Sequence, residues 1–123
     1  MKEGKNSIFL GAILMGLAVA IGAIGAHALK QTLDARYLAT FYTGAKYHTY
    51  HALGLLALGA IENSYGKKFT IVKYLIVAGI VLFSFNCYIY AITQIKIFAM
   101  IVPIGGFSFI FAWLTLAWKV IRE

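Results

Sequence analysis

The chain has 123 residues, 62% of them hydrophobic and 12% charged, with a mean hydropathy of +0.83; soluble domains average about 25% charged residues, so the composition is that of a membrane protein. One helical crossing takes about 20 residues, so the length accommodates about four crossings in a single domain, residues 1–123, and no separate soluble domain. The net charge of +7 is not gathered on one face or in one arm, as nucleic-acid binding requires; the basic residues stand between apolar runs and read as topology signals.

The first apolar run, about 7–29, predicts a spanning helix. Lys2 and Lys5 precede it and Ala26-His27-Ala28 closes it in the manner of a signal-peptide cleavage site. The run exceeds the 7 to 15 apolar residues usual for such a signal, so it is expected to stay. At 100° per residue, Ala18, Gly22, Gly25 and Ala26 share one sector, and Gly16, Ala20, Ala23 and His27 another. Helices in lipid associate through close approach at small residues, so this helix is expected to lie inside the bundle with neighbours on two sides.

The connection "KQTLDARYLATF" places Leu33, Tyr37, Leu38 and Phe41 on one helical side, which predicts either a short interfacial helix or an early start of the next span. That second span lies within about 42–61. Gly44, His48, His51, Leu55, Gly59 and Glu62 share its inward face, while Lys46 and Tyr50 point nearly opposite, and Lys46 is expected to snorkel to the interface. The third span, about 71–93, carries Ser84 and Tyr88 on one face and Gly79, Asn86 and Tyr90 on another. The Asn86 amide must find a partner, either within the protomer or at a contact between protomers. Cys87 reads as a small buried hydrophobe. The fourth span, about 97–120, opens with Pro103, Gly105 and Gly106, a pattern for a kink and a close approach.

Lys2, Lys5, Lys67, Lys68, Lys73, Lys119 and Arg122 fall on one side of these spans and Lys30, Arg36, Lys46 and Lys96 on the other. The positive-inside rule then predicts both termini in the cytoplasm of a multi-pass protein of the cell membrane. Tyr37, Tyr42, Tyr88 and Tyr90 near the outer boundary, with Tyr65, Tyr74 and Trp118 near the inner one, agree with that frame. In it, polarity concentrates in the outer half, and the inner half is almost wholly apolar apart from Glu62 at its edge.

Three stretches, "GAIGAHALK" from Gly22, "YHTYHALGLL" from Tyr47, and the pair "LFSFNCYIYAIT" and "PIGGFSFIFAW" between Leu82 and Trp113, resemble the bacterial membrane proteins of domain-of-unknown-function family 423, related to the animal transmembrane protein 256. The resemblance covers most of the chain and implies a four-helix integral membrane protein. It carries no established activity, cofactor or catalytic residue. Ser84 and Tyr88 match the family; Phe85, Asn86 and Cys87 stand where the family usually begins with a small residue after the serine.

The expected architecture is therefore all-α, a polytopic four-helix bundle. For its chemistry the sequence supports, first, a non-enzymatic binding or accessory protein with a polar outer-half pocket lined by His27, His48, His51, Ser84 and Tyr88, taking a lipid-like or amphipathic ligand or a partner helix. Its alternatives are an oligomeric small transporter or proton relay, motivated by ionisable groups within the membrane, and a histidine-ligated metal or haem protein. Gly16, Ala18, Ala20, Gly22, Gly25, Ala26, Gly44, Gly59, Gly79, Pro103, Gly105 and Gly106 are the expected helix-packing positions. No nucleophile with an adjacent base, no paired carboxylates and no phosphate-cradling glycine loop is visible, so neither enzyme activity nor a cofactor is expected. The expected partners are the bilayer and either further copies or another membrane protein.

Overall fold

A computed structural model describes residues 2–123. Four helical rods run α1 Lys5–Leu29, α2 Ala35–Tyr65, α3 Thr70–Thr93 and α4 Lys96–Arg122. α1, α3 and α4 are long and apolar enough to cross a membrane; α2, the longest at 31 residues, carries Arg36, Lys46 and Glu62. Left-handed residues close two of the turns: Gly66 at φ +65° follows α2, and Gln94 at φ +60° follows α3, its N–H bonded to the Tyr90 carbonyl at 2.7 Å. Glycine adopts that conformation without the steric cost that Gln94 bears.

α2 starts at Ala35, so the first connection is an early start of the second rod rather than a separate interfacial helix. Tertiary contact explains it. Tyr37 meets Tyr90 edge-on with ring centroids 5.8 Å apart, and Phe41, 2% exposed, lies 5.1 Å from the Tyr88 ring. Burial of these aromatics favours extending the helix over fraying it.

The main core joins α2, α3 and α4 through Leu55, Leu58, Phe69, Val72, Ile76, Ile80, Phe109 and Ala112. Against this three-rod body α1 lies as a flank, packed along α2. The expectation that α1 has neighbours on two sides is thus corrected. Its contact face is the row Gly4, Ser7, Gly11, Ala18 and Gly25, all buried. A Cβ on Gly11 would stand 2.9 Å from the Leu56 nitrogen and 3.0 Å from the Ala52 carbonyl oxygen, and one on Gly25 would enter the Phe41 ring. Gly16 and Gly22 instead have nothing within 4 Å of a built Cβ, and Ala20 and Ala26 are exposed, so these four do not pack within the protomer.

Elsewhere, Gly59 admits Ile8, Gly79 admits the Phe109 ring, and Gly105 lies directly against the Phe83 backbone. Gly106 is only loosely approached, its nearest neighbour being Phe83 at 3.8 Å, and Pro103 is exposed within an uninterrupted helix. The close approach in α4 is therefore made by Gly105 alone of these three.

Two π-helical turns interrupt the rods, Gly25–Leu29 at the end of α1 and Ile80–Phe85 within α3. A π turn displaces carbonyls from their usual donors. In α3 the Asn86 amide meets that need, donating to the Val81 carbonyl at 3.2 Å and the Leu82 carbonyl at 3.1 Å. Of the two kinds of partner expected for the Asn86 amide, one within the protomer and one at a contact between protomers, the first is thus present, in its own helix.

Candidate functional site

His48 and His51 leave α2 one turn apart but meet different neighbours. Gly44 lies so close to α3 that a Cβ there would be 2.7 Å from the Cys87 Cβ and 3.0 Å from the Ser84 carbonyl oxygen. That approach brings His48 to α3, where its Nδ1 is 2.7 Å from the Tyr88 hydroxyl and its ring meets Phe85 edge-on at 5.5 Å. His48 is fully buried, and its Nε2 has no hydrogen-bond partner. The Ser84 hydroxyl is likewise buried without a partner.

His51 turns toward α4. Gly54 admits the Trp113 ring, whose nearest atom would lie 2.8 Å from a Cβ, and the Trp113 indole N–H donates to His51 Nε2 at 3.0 Å. Nδ1 sits 2.8 Å from the Tyr47 carbonyl oxygen. An indole N–H only donates and a carbonyl only accepts, so the network assigns His51 as the neutral tautomer protonated on Nδ1, both nitrogens used. Its ring also stacks on Phe109 at 3.6 Å and 12°.

His27 is exposed on the α1 π turn, away from both. The three imidazoles do not converge, and among the described residues no group of three His, Cys, Asp or Glu side chains could hold a metal ion. The expectation that they share one polar pocket is corrected accordingly. A cavity does occur at that end of the bundle, but its lining is apolar. Ile21, Ile24 and Leu29 of α1, Phe41 of α2, and Tyr88 and Ile92 of α3 border a partly open groove of about 190 Å³. Of the five residues expected to line a pocket, only Tyr88 does so, through its ring, while its hydroxyl is directed to His48.

The opposite, lysine-rich end holds a polar cluster that sequence reasoning missed. Glu62, 1% exposed, accepts from the Ser7 hydroxyl at 2.6 Å and from the Phe69 N–H at 2.7 Å. One helix position away, Asn63 Oδ1 accepts the Gly4 N–H at 2.8 Å, serving the otherwise open N-terminus of α1. Together they tie α1, α2 and the start of α3. Ser7, seven residues before Leu14 on the α1 face that meets α2, was the available signal. Trp113 and Phe109, the partners of His51, were likewise unassigned; nothing in the spacing within α4 pairs them with α2.

A family model described as "Protein of unknown function (DUF423)" matches residues 21–106. The chain is 41% identical over 120 residues to the UPF0382 membrane protein YwdK of Bacillus subtilis, covering 96% of this chain and 98% of that one. It is 46% identical over 112 residues to a UPF0382 membrane protein of Staphylococcus saprophyticus, covering 91% and 93%, and 39% identical over 112 residues to one of Staphylococcus haemolyticus, covering 91% and 92%. No solved structure matches.

Proposed function

Because the chain belongs to the DUF423 family of membrane proteins, we propose that it is a non-enzymatic accessory protein of the cell membrane whose apolar groove holds one hydrocarbon chain of a lipid. In this reading all four rods cross the bilayer, both termini are cytoplasmic, and the groove opens in the outer leaflet. The seven basic residues at the ends of α1, α2, α3 and α4 that hold the termini support that orientation.

The observation that carries the reading is the groove itself. Its six lining residues, drawn from α1, α2 and α3, present only apolar surface, and the groove is partly open; apolar surface of that kind suits hydrocarbon rather than water. At about 190 Å³ it falls below the roughly 300 to 1,000 Å³ of sites for drug-sized molecules, which suits a length of chain rather than a whole compact ligand. Neutral His51 with both nitrogens bonded supports a structural role for that residue over proton transfer. Filling the groove with Ile92→Trp is expected to reduce copurifying lipid, read by native mass spectrometry after mild delipidation, by about tenfold, the factor corresponding to ~1.4 kcal/mol of lost contact. Equal lipid retention by the folded variant and the parent would defeat this function.

A further inference from the structure

The cations of the lysine-rich end are not equivalent. Lys67 Nζ lies 2.7 Å from a Glu123 carboxylate oxygen, and Lys68 is near enough to Glu3 for its charge to act on that carboxylate. Lys73, on the first turn of α3, is only 6% exposed, yet among the described residues no carboxylate lies within ion-pairing distance of it. The buried carboxylate of Glu62 is occupied by Ser7 and by the Phe69 N–H. What the Lys73 ammonium has is the face of Tyr74, with 5.0 Å between Nζ and the ring centroid.

Charge alone would not favour a cation there. The first turn of a helix carries the positive end of its dipole, and its leading N–H groups lack intrahelical acceptors. In α3 no side chain caps them, and the Phe69 N–H already serves Glu62, leaving those of the exposed residues Thr70 and Ile71 open. An ammonium with its stem buried and no counterion sits beside unsatisfied donors. All of these groups ask for the same thing, an anion with several oxygen acceptors.

We propose that the first turn of α3 binds the phosphodiester of an anionic phospholipid. Thr70, Lys73 and Tyr74 stand at i, i+3 and i+4 and therefore share one side of the helix. The phosphate takes the open N–H groups and the Thr70 hydroxyl, as anions do at helix N-termini, and the Lys73 ammonium neutralises it. Tyr74, 60% exposed, and Ile71, 58% exposed, offer apolar surface beside that position, which favours a lipid over soluble phosphate. The site is independent of the apolar groove, which lies at the other end of the rods.

The test uses the full chain in detergent, supplied with phosphatidylglycerol or phosphatidylcholine, with retained lipid counted by native mass spectrometry. The parent is expected to retain phosphatidylglycerol preferentially. Lys73→Gln should lower that retention about fivefold, the effect of one lysine at an anionic membrane surface, whereas Lys67→Gln, whose lysine is already paired with Glu123, should leave it unchanged. Thr70→Ala, which spares the buried lysine, should lower it in the same direction with helix content intact. The proposal is overturned by equal losses in the two lysine variants, by equal retention of the two lipids, by displacement of phosphatidylglycerol with inorganic phosphate, or by a folded Thr70→Ala protein that retains lipid like the parent. Ile92→Trp should leave this preference untouched, so failure of the groove and failure of this site are distinguishable.

Discussion

At the scale of single residues, neighbouring glycines that look alike in sequence have opposite roles. A Cβ at Gly105 would strike the Phe83 backbone, which cannot rotate away as a side chain would, whereas one at Gly106 would meet Phe83 ring atoms only at 3.8 Å and beyond. Gly105→Ala is therefore expected to destabilise the protein by about 1–3 kcal/mol, and Gly106→Ala to be neutral or slightly stabilising, since alanine favours a helix more than glycine does. Reversible unfolding of each variant in mixed detergent micelles measures both; equal stabilities would contradict the close approach of α3 and α4. Trp113→Phe isolates a second contact. It keeps an aromatic ring over Gly54 but removes the donor to His51 Nε2, leaving a neutral nitrogen without its partner. The expected loss is roughly 0.5–1.5 kcal/mol, in the range of hydrogen bonds between membrane helices, by the same assay.

At the scale of the element, the π turn of α3 depends on Asn86. Its amide donates to both the Val81 and Leu82 carbonyls, so Asn86→Ala should leave two acceptors unmet in apolar surroundings and cost about 1–3 kcal/mol, with faster amide exchange confined to the segment around 80–86. Uniform protection along α3 in that variant would show that the turn does not need the side chain. The apolar runs made the rods legible, because length and hydropathy alone decide whether a helix suits hydrocarbon. The packing face of α1 was less legible for a geometric reason. Gly4, Gly11, Ala18 and Gly25 recur every seven residues, and a seven-residue repeat drifts by about 20° per heptad on a straight 100° wheel. On that wheel Gly4 and Gly11 stay within about 60° of Gly25, but Gly22 falls at the same angle as Gly4, so periodicity marks the sector and only the contact with α2 separates Gly11, which packs, from Gly22, which does not. The direction of each histidine was also hidden. His48 and His51 share a face of α2, but Gly44 turns one toward α3 and Gly54 the other toward α4, and such partner choice is set by contacts between helices rather than by periodicity within one.

For the whole molecule, the uneven attachment of α1 matters most. Three rods share a continuous core, while α1 lies mainly along α2 and reaches that body only through side chains such as Leu10, Leu14, Ile21 and Leu29. It is held at the lysine-rich end by Ser7 on Glu62 and Gly4 on Asn63, and at the other end by Gly25 against Phe41, beside the groove. A flank with few buried residues of its own should open at lower free energy than the core, since opening it exposes fewer buried groups. Ser7→Ala removes one hydrogen bond to a buried carboxylate, an interaction of about 1.5–3 kcal/mol, without adding volume against Gly59 or Glu62. Amide exchange throughout α1 should then accelerate by about tenfold or more, tenfold corresponding to ~1.4 kcal/mol. The protection of Leu55, Ile76 and Phe109 in the α2–α4 core should change little. Hydrogen exchange in nanodiscs read by mass spectrometry separates the two outcomes. If α1 and the core accelerate together, the four rods unfold as one unit and the groove is a fixed cleft; if α1 responds alone, its far end can swing on Phe41 and vary the width of the groove that the chain of a lipid would enter.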